Sequence, residues 1–140
     1  RSLSPQAYIV LLVVIAKLEP KVNISGAIET VSEIVKSIQK EVNKYENIAI
    51  WSAGHRALAL MAIAKLSKIK YVVDSAIFKQ GKFTPILHKK IISPDEFINT
   101  KCDLLIIMLP GNYAEQVIRF VEENRITCKV IVFEDKALLN

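Results

Sequence analysis

Between Asp103 and Pro110 the chain runs Leu-Leu-Ile-Ile-Met-Leu without one polar residue. A run that short and that continuous reads as a strand covered on both faces, the pattern of a parallel sheet. Asn47-Ile-Ala-Ile-Trp-Ser52 and Ile69-Lys-Tyr-Val-Val-Asp74 read as further buried strands. Cys128 to Phe133 gives a last one, and a short extended piece is expected around Lys90 to Ile92. Helical patterns lie between them: His55 to Leu66, a turn begun by Ser93-Pro-Asp-Glu-Phe97, and Tyr113 to Asn124 with Asn112 as its cap. Strand alternating with helix from residue 47 onward means βαβ units and right-handed crossovers. The fold class is therefore α/β: a Rossmann-like, doubly wound, mainly parallel sheet with helices on both faces.

Upstream, residues 27–45 carry Ile28, Val31, Val35, Ile38, Val42 and Tyr45 on one helical face, after cap candidates Asn23 and Ser25. Acids come early and lysines late on the other face, as the helix dipole prefers. Ala7 to Ala16 is an unbroken apolar run of ten residues, half of what a spanning helix needs (about 20). Its β-branched content reads as a buried strand, so no membrane partner is expected. Residues 1–22 are read as the closing strand of a preceding domain or an N-terminal extension, and 23–140 as one Rossmann-like domain. The chain opens without methionine, which suggests a piece of a longer protein.

The net charge is +5 and unevenly placed: residues 65–90 hold seven lysines against one acid, Asp74. A basic field of that kind suits phosphate-bearing ligands, although lysines solvating a helix-to-strand turn are the commoner explanation. Nucleic acid is not expected, because the lysines are not interleaved with aromatics in a recognisable module. Cys102 and Cys128, without CxxC spacing, read as reduced thiols and a cytoplasmic chain. Two histidines leave little with which to build a zinc site, and no metal site is expected.

Ligands of open α/β sheets bind beyond the carboxyl ends of the strands. Three loops should reach that edge: Ser52 to Arg56, Asp74 to Pro85, and Leu109 to Tyr113. The first offers a helix N-terminus for phosphate at Gly54 and His55, with Arg56 as a fork of donors. Asp74 lies 20 residues past Gly54, the separation of the ribose-binding acid in dinucleotide folds. The glycine fingerprint around Gly54 is incomplete, which argues against both a full NAD site and a full S-adenosylmethionine site. The second loop is long, basic and turn-rich, with Lys79 and Lys82 available to an anion, and His88 follows it. Phe78 and Phe83 could stack a base; Trp51, inside a strand, reads as core. No catalytic triad or carboxylate pair is visible.

Three segments together carry a family resemblance: Trp51-Ser-Ala-Gly-His-Arg-Ala-Leu-Ala-Leu60, Tyr71-Val-Val-Asp-Ser75, and Phe78-Lys-Gln-Gly-Lys-Phe-Thr-Pro85 with His88. They resemble the C-terminal domain of S-adenosylmethionine-dependent sugar C-methyltransferases, which act on nucleotide-linked deoxysugars. Leu109-Pro-Gly-Asn112 fits the family's last turn. The chain departs at Ser52, where the family has glycine, and at Ile77, where it often has proline. It departs again at Pro85-Ile-Leu-His-Lys-Lys-Ile91, which replaces Pro-Gly-Thr-His-Ile-Pro-Ile. The resemblance implies a substrate-binding domain, not catalytic alone, for a nucleotide-sugar or related phosphorylated ligand. It implies substrate contacts from Gly54, His55, Arg56, Asp74, Lys79, Gln80, Gly81, Lys82, His88, Asn112 and Tyr113. It places S-adenosylmethionine, and zinc, in upstream methyltransferase domains that would be this domain's partners. Two alternatives stay open: a stand-alone module for a nucleotide or CoA-like ligand, and a structural domain that forms homo-oligomers.

Overall fold

The computed structural model describes residues 24–109 and 111–132; the apolar run Ala7 to Ala16 and the cap candidate Asn23 lie outside them. Helix α1 spans Ile24–Val42, strand β1 Ile48–Trp51, α2 His55–Ile63 and β2 Ile69–Val73. Then come β3 Lys90–Ile92, α3 Pro94–Ile98, β4 Leu104–Ile107, α4 Gly111–Glu123 and β5 Lys129–Val132. The five strands form one sheet in the order β3-β2-β1-β4-β5, parallel at every pairing. The fold is Rossmann-like α/β.

The continuous apolar strands are buried on both faces, as their composition requires. Every residue of β1 and of β4 is buried. Alternate residues feed two separate cores. Ile48, Ile50, Ile69, Val72, Leu104 and Ile106 pack with Ile38 and Val42 of α1 and Ala57 and Met61 of α2. Ala49, Trp51, Val73, Leu105 and Ile107 pack on the other side with Phe97 of α3 and Ala114, Val117 and Val121 of α4. Winding outward from β1 through α2 and from β4 through α4 forces the two helices onto opposite faces. Trp51 is core, with Phe97 and Phe120 edge-on to its ring at 5.7 and 5.3 Å.

Helix ends differ from expectation by up to three residues, the usual reach of local signals. The larger differences have causes. Ser25 lies within α1 rather than before it. Asn112 is not the cap of α4, because the helix already begins at Gly111. α2 stops at Ile63: Ala64 closes it, and Lys65 (φ 50°) turns the chain left-handed toward β2. At α3 the expected start is found whole. Ser93 Oγ accepts from Glu96 N, Glu96 Oε2 accepts from Ser93 N, and Pro94 opens the helix.

Two devices hold the amino ends of the strands. Asp103 Oδ2 accepts from Asn47 N (3.0 Å) and Asn47 Nδ2 (2.7 Å), and Lys70 Nζ donates to Asn47 Oδ1. This ties the entrances of β4, β1 and β2 together. The Asn47 backbone N–H, and then its side-chain amide, hold the Asp103 carboxyl below its ordinary value. A carboxyl lowered on folding adds stability that is complete above its unfolded value, near 3.9, and is lost as pH falls through the folded value. Urea midpoints should therefore drop below about pH 4, and Asp103→Asn should flatten that acid slope while lowering the midpoint at neutral pH. On the second core face, Phe97→Ala should cost about 3–5 kcal/mol in the same urea assay, because Phe97 is 1% exposed.

Candidate functional site

The order of strands reverses between β1 and β4, so the crevice of a doubly wound sheet opens at their carboxyl ends. Ser52 to Arg56 leaves β1 there, residues 108–113 leave β4, and Asp74 to Gly81 lies alongside on the β2 side. Sequence alone places all three loops at this edge; the structure shows how two of them are locked.

The lock is Asp74. Its Oδ2 accepts from Ala53 N at 2.7 Å and its Oδ1 from Ala76 N at 2.8 Å, while its own N donates to Ile92 O. Asp74 is only 9% exposed, so both amides depend on its carboxylate for an acceptor. Lys79 folds back over the same point, with Nζ 3.4 Å from Asp74 Oδ2 and 3.3 Å from Ala53 O. Gln80 Nε2 donates to Asp74 O at 3.0 Å. One carboxylate and one ammonium thus fasten the β2 loop to the loop after β1, and the Gln80 amide closes the β2 loop on itself.

The β1 loop is bent in an unusual way. Ser52 has φ 125°, a region that side chains avoid. It is the position that the family pattern gives to glycine. Its N still donates to Val73 O, and its Oγ accepts from Gly54 N at 3.0 Å. A Cβ at Gly54 would lie 3.1 Å from Ser52 Oγ and press on that hydroxyl. No side chain caps α2. Ala53 N and Gly54 N are already engaged, so the positive dipole end of α2 lies at His55 and Arg56, and both residues are exposed. Asn112 and Tyr113, in the first turn of α4, are exposed across the switch point.

The rest of the β2–β3 excursion does not stay at this edge. After Gly81 (φ 79°) the chain runs back antiparallel to β3. Gly81 N donates to Ile91 O, Ile91 N to Lys82 O, Thr84 N to Lys89 O, and Lys89 N to the buried Thr84 Oγ1. β3 is parallel to β2, so the turn that precedes Lys90, with His88 in it, lies toward the amino ends of the strands. His88 is therefore not brought together with Gly54 and Asp74. Lys89 goes the same way, donating to Ser67 O at 2.6 Å. The basic stretch is thus divided: Lys79 and Lys82 belong near the carboxyl edge, whereas Lys70, Lys89 and Lys90 serve Asn47, Ser67 and Glu96.

The tip of this hairpin is Pro85-Ile86-Leu87-His88. Ile86 has φ 68° and His88 φ 48°. Left-handed backbone at a β-branched residue is a strained choice, and Ile86, like Ser52, stands where the family pattern has glycine. The excursion also exposes Ile77, Phe78, Phe83 and Ile86, so both aromatics considered for stacking are at the surface.

Residues 22–132 match the family model described as C-methyltransferase C-terminal domain, and the chain belongs to that family. No curated protein matches it significantly. Among solved structures it is similar to RSP, a Rex-family repressor, at 18% identity and a TM-score of 0.53, over 74% of this chain and 53% of that one. The same repressor in complex with beta-NADH matches at 16% identity and a TM-score of 0.46, over 74% and 55%. The chain spans about half the length of these structures, and the likeness concerns the fold. Among the described residues no helix is long and apolar enough to cross a membrane, and no group of three or more His, Cys, Asp or Glu could hold a metal ion.

Two substitutions separate the lock from the strain. Asp74→Ala should destabilise by about 3 kcal/mol in urea unfolding, because two amides lose their acceptor, and Asp74→Asn by less. Ile86→Gly should raise stability by about 0.5–1 kcal/mol, the left-handed penalty relieved less the entropy that glycine returns to the unfolded chain.

Proposed function

We propose that this domain binds and orients a nucleotide-sugar, or a related phosphorylated substrate, for an S-adenosylmethionine-dependent C-methyltransferase, and performs no methyl transfer alone. The observation that carries the reading is the uncapped start of α2, held by Asp74 and Lys79 at the switch point of a domain whose family is that of C-methyltransferase C-terminal domains. A diphosphate would meet the outward N–H groups at His55 and Arg56, with the Arg56 guanidinium as a bidentate partner. Lys82, exposed at the end of the β2 loop, would add a second cation, and Gln80 and Gly81 would shape the wall between them. Asn112 and Tyr113 would border the opposite side.

In this reading Asp74 and Lys79 act by positioning. The Asp74 carboxylate is already bonded to two backbone amides, so its service to a sugar hydroxyl is secondary to holding Ala53 and Gly54 where the phosphate binds. The exposed Ile77 and Phe78 at the turn of the same loop would offer an apolar surface to a deoxysugar or base. S-adenosylmethionine, and zinc, belong in this proposal to other domains of the enzyme; the loop after β1 has one glycine, Gly54, where a glycine-rich cofactor loop needs several.

A second reading has its own observation. Ile77, Phe78, Phe83 and Ile86 are between 55% and 84% exposed on one ordered excursion, which suits a surface for self-association.

Calorimetric titration with a panel of nucleoside diphosphate sugars tests the first reading. Binding should weaken with salt, as an interaction of fixed cations with a diphosphate must, and Arg56→Ala should reduce affinity about ten-fold, the loss of one charge-assisted pair. His88→Ala should leave it unchanged. Absence of heat at millimolar ligand would overturn the reading. A monomer mass in sedimentation equilibrium would remove the second.

A further inference from the structure

The sheet has a second chemically distinctive point at its opposite edge. Leu104 pairs with Lys129 in the β4–β5 ladder, and Lys129 N donates to Asp103 O at 2.9 Å. Cys128 therefore stands beside Asp103, and Cys102 one residue further along the neighbouring strand. With strands about 4.8 Å apart and about 3.3 Å of rise per residue, the two Cα atoms lie roughly 6 Å apart, inside the range a disulfide spans.

Side-chain direction agrees. Cys128 alternates with Val130 and Val132, which lie against the second core. Strict alternation from Leu104 would send Cys102 to the first core, but the bend at Asp103 reverses it, and both cysteines belong to the second. Cys102 Sγ donates to Leu104 O at 3.3 Å. The two cysteines differ in surroundings. Cys102 is buried, whereas Cys128 is half-buried and lines an open groove of about 630 Å³ with Arg125, Thr127 and Ile126.

We propose that Cys102 and Cys128 form a redox-active dithiol that closes to an intramolecular disulfide by exchange with a small disulfide such as glutathione disulfide. The Cys128 thiolate attacks one sulfur of glutathione disulfide, forming a mixed disulfide and releasing one glutathione thiolate. Cys102 then loses its proton to solvent and attacks the Cys128 sulfur, and the second glutathione leaves as thiolate. Two protein thiols are oxidised, one disulfide is reduced to two glutathiones, and the two thiolates take up the two protons released. The direction of attack follows from exposure: Cys128 is half-buried and lines the open groove, where a small disulfide can reach it, whereas Cys102 is buried. The new bond would staple β4 to β5 and close the loop that contains all of α4, whose first turn carries Asn112 and Tyr113.

The test uses the whole chain, reduced and then incubated with glutathione disulfide, followed by intact mass under non-reducing conditions. The expected product has lost two hydrogens, carries no glutathione, and yields one tryptic peptide pair linked through Cys102 and Cys128. Cys102→Ala should stop at a stable adduct of one glutathione on Cys128, and Cys128→Ala should react at least about ten-fold more slowly, since only the buried thiol remains. A wild-type chain that keeps one glutathione, forms a disulfide between two chains, or stays fully reduced would overturn the proposal. Because the readout is mass on the wild-type chain, it stands even where a variant folds poorly.

Discussion

The hydrogen bonds from Ala53 N and Ala76 N to the Asp74 carboxylate are the constraint on which the carboxyl edge depends. A parallel sheet delivers the ends of β1 and β2 side by side, but it does not fix the loops beyond them. Here an acid at the end of β2 reaches across to the first residues after β1, and Lys79 and Gln80 close over it from the same loop. The geometry at Ser52 depends on this as well. A backbone at φ 125° persists only where its surroundings over-determine it, and Ser52 is held by Val73 O on one side and by its own hydroxyl's bond to Gly54 on the other. The strain at the loop and the burial of the carboxylate are two sides of one arrangement.

Most of the architecture was legible in the chain because the strands are written without ambiguity. Four-residue runs such as Leu104–Ile107 cannot be amphipathic, and two-sided burial in a parallel sheet follows. The capping box at Ser93 and Glu96 was legible for the same reason, being a local device. Helix ends were less so, since Asn112 looks like a cap for a helix from Tyr113 and tertiary placement starts α4 two residues earlier, at Gly111. The three loops at the carboxyl edge followed from topology alone.

What could not be read was the path of the chain after Gly81. A stretch with two lysines, a glycine and a proline looks like one long loop, and His88 reads as its continuation. The structure makes it a loop and then a returning strand, because Gly81 and Lys82 find their backbone partners on Ile91 across a turn. That pairing is set by β3 lying in the sheet, which is a tertiary fact. The role of Asp74 was hidden in a similar way: twenty residues of separation predict an acid near the phosphate loop, but not that its oxygens are bonded to backbone. A signal did exist for the strained positions. Ser52 and Ile86 both stand where the family pattern has glycine, and both have positive φ, so a glycine in the pattern was the clue to the backbone at these two positions.

The two ends of the sheet are mechanically linked through the β4–α4–β5 unit. Its upper end supplies Asn112 and Tyr113 to the carboxyl edge, and its lower end is anchored by Asp103 to Asn47 and flanked by the cysteine pair. β4 is central and buried throughout, whereas β5 is the edge strand and only half-buried. Any adjustment of α4 relative to the crevice is therefore taken up on the β5 side, where fewer contacts oppose it. An edge strand tied at its amino end by a covalent bond would lose that freedom, and the wall formed by the first turn of α4 would lose it too. The same asymmetry makes the β1 and β2 side, locked by Asp74, the firmer wall of the crevice and the β4–β5 side the more compliant one.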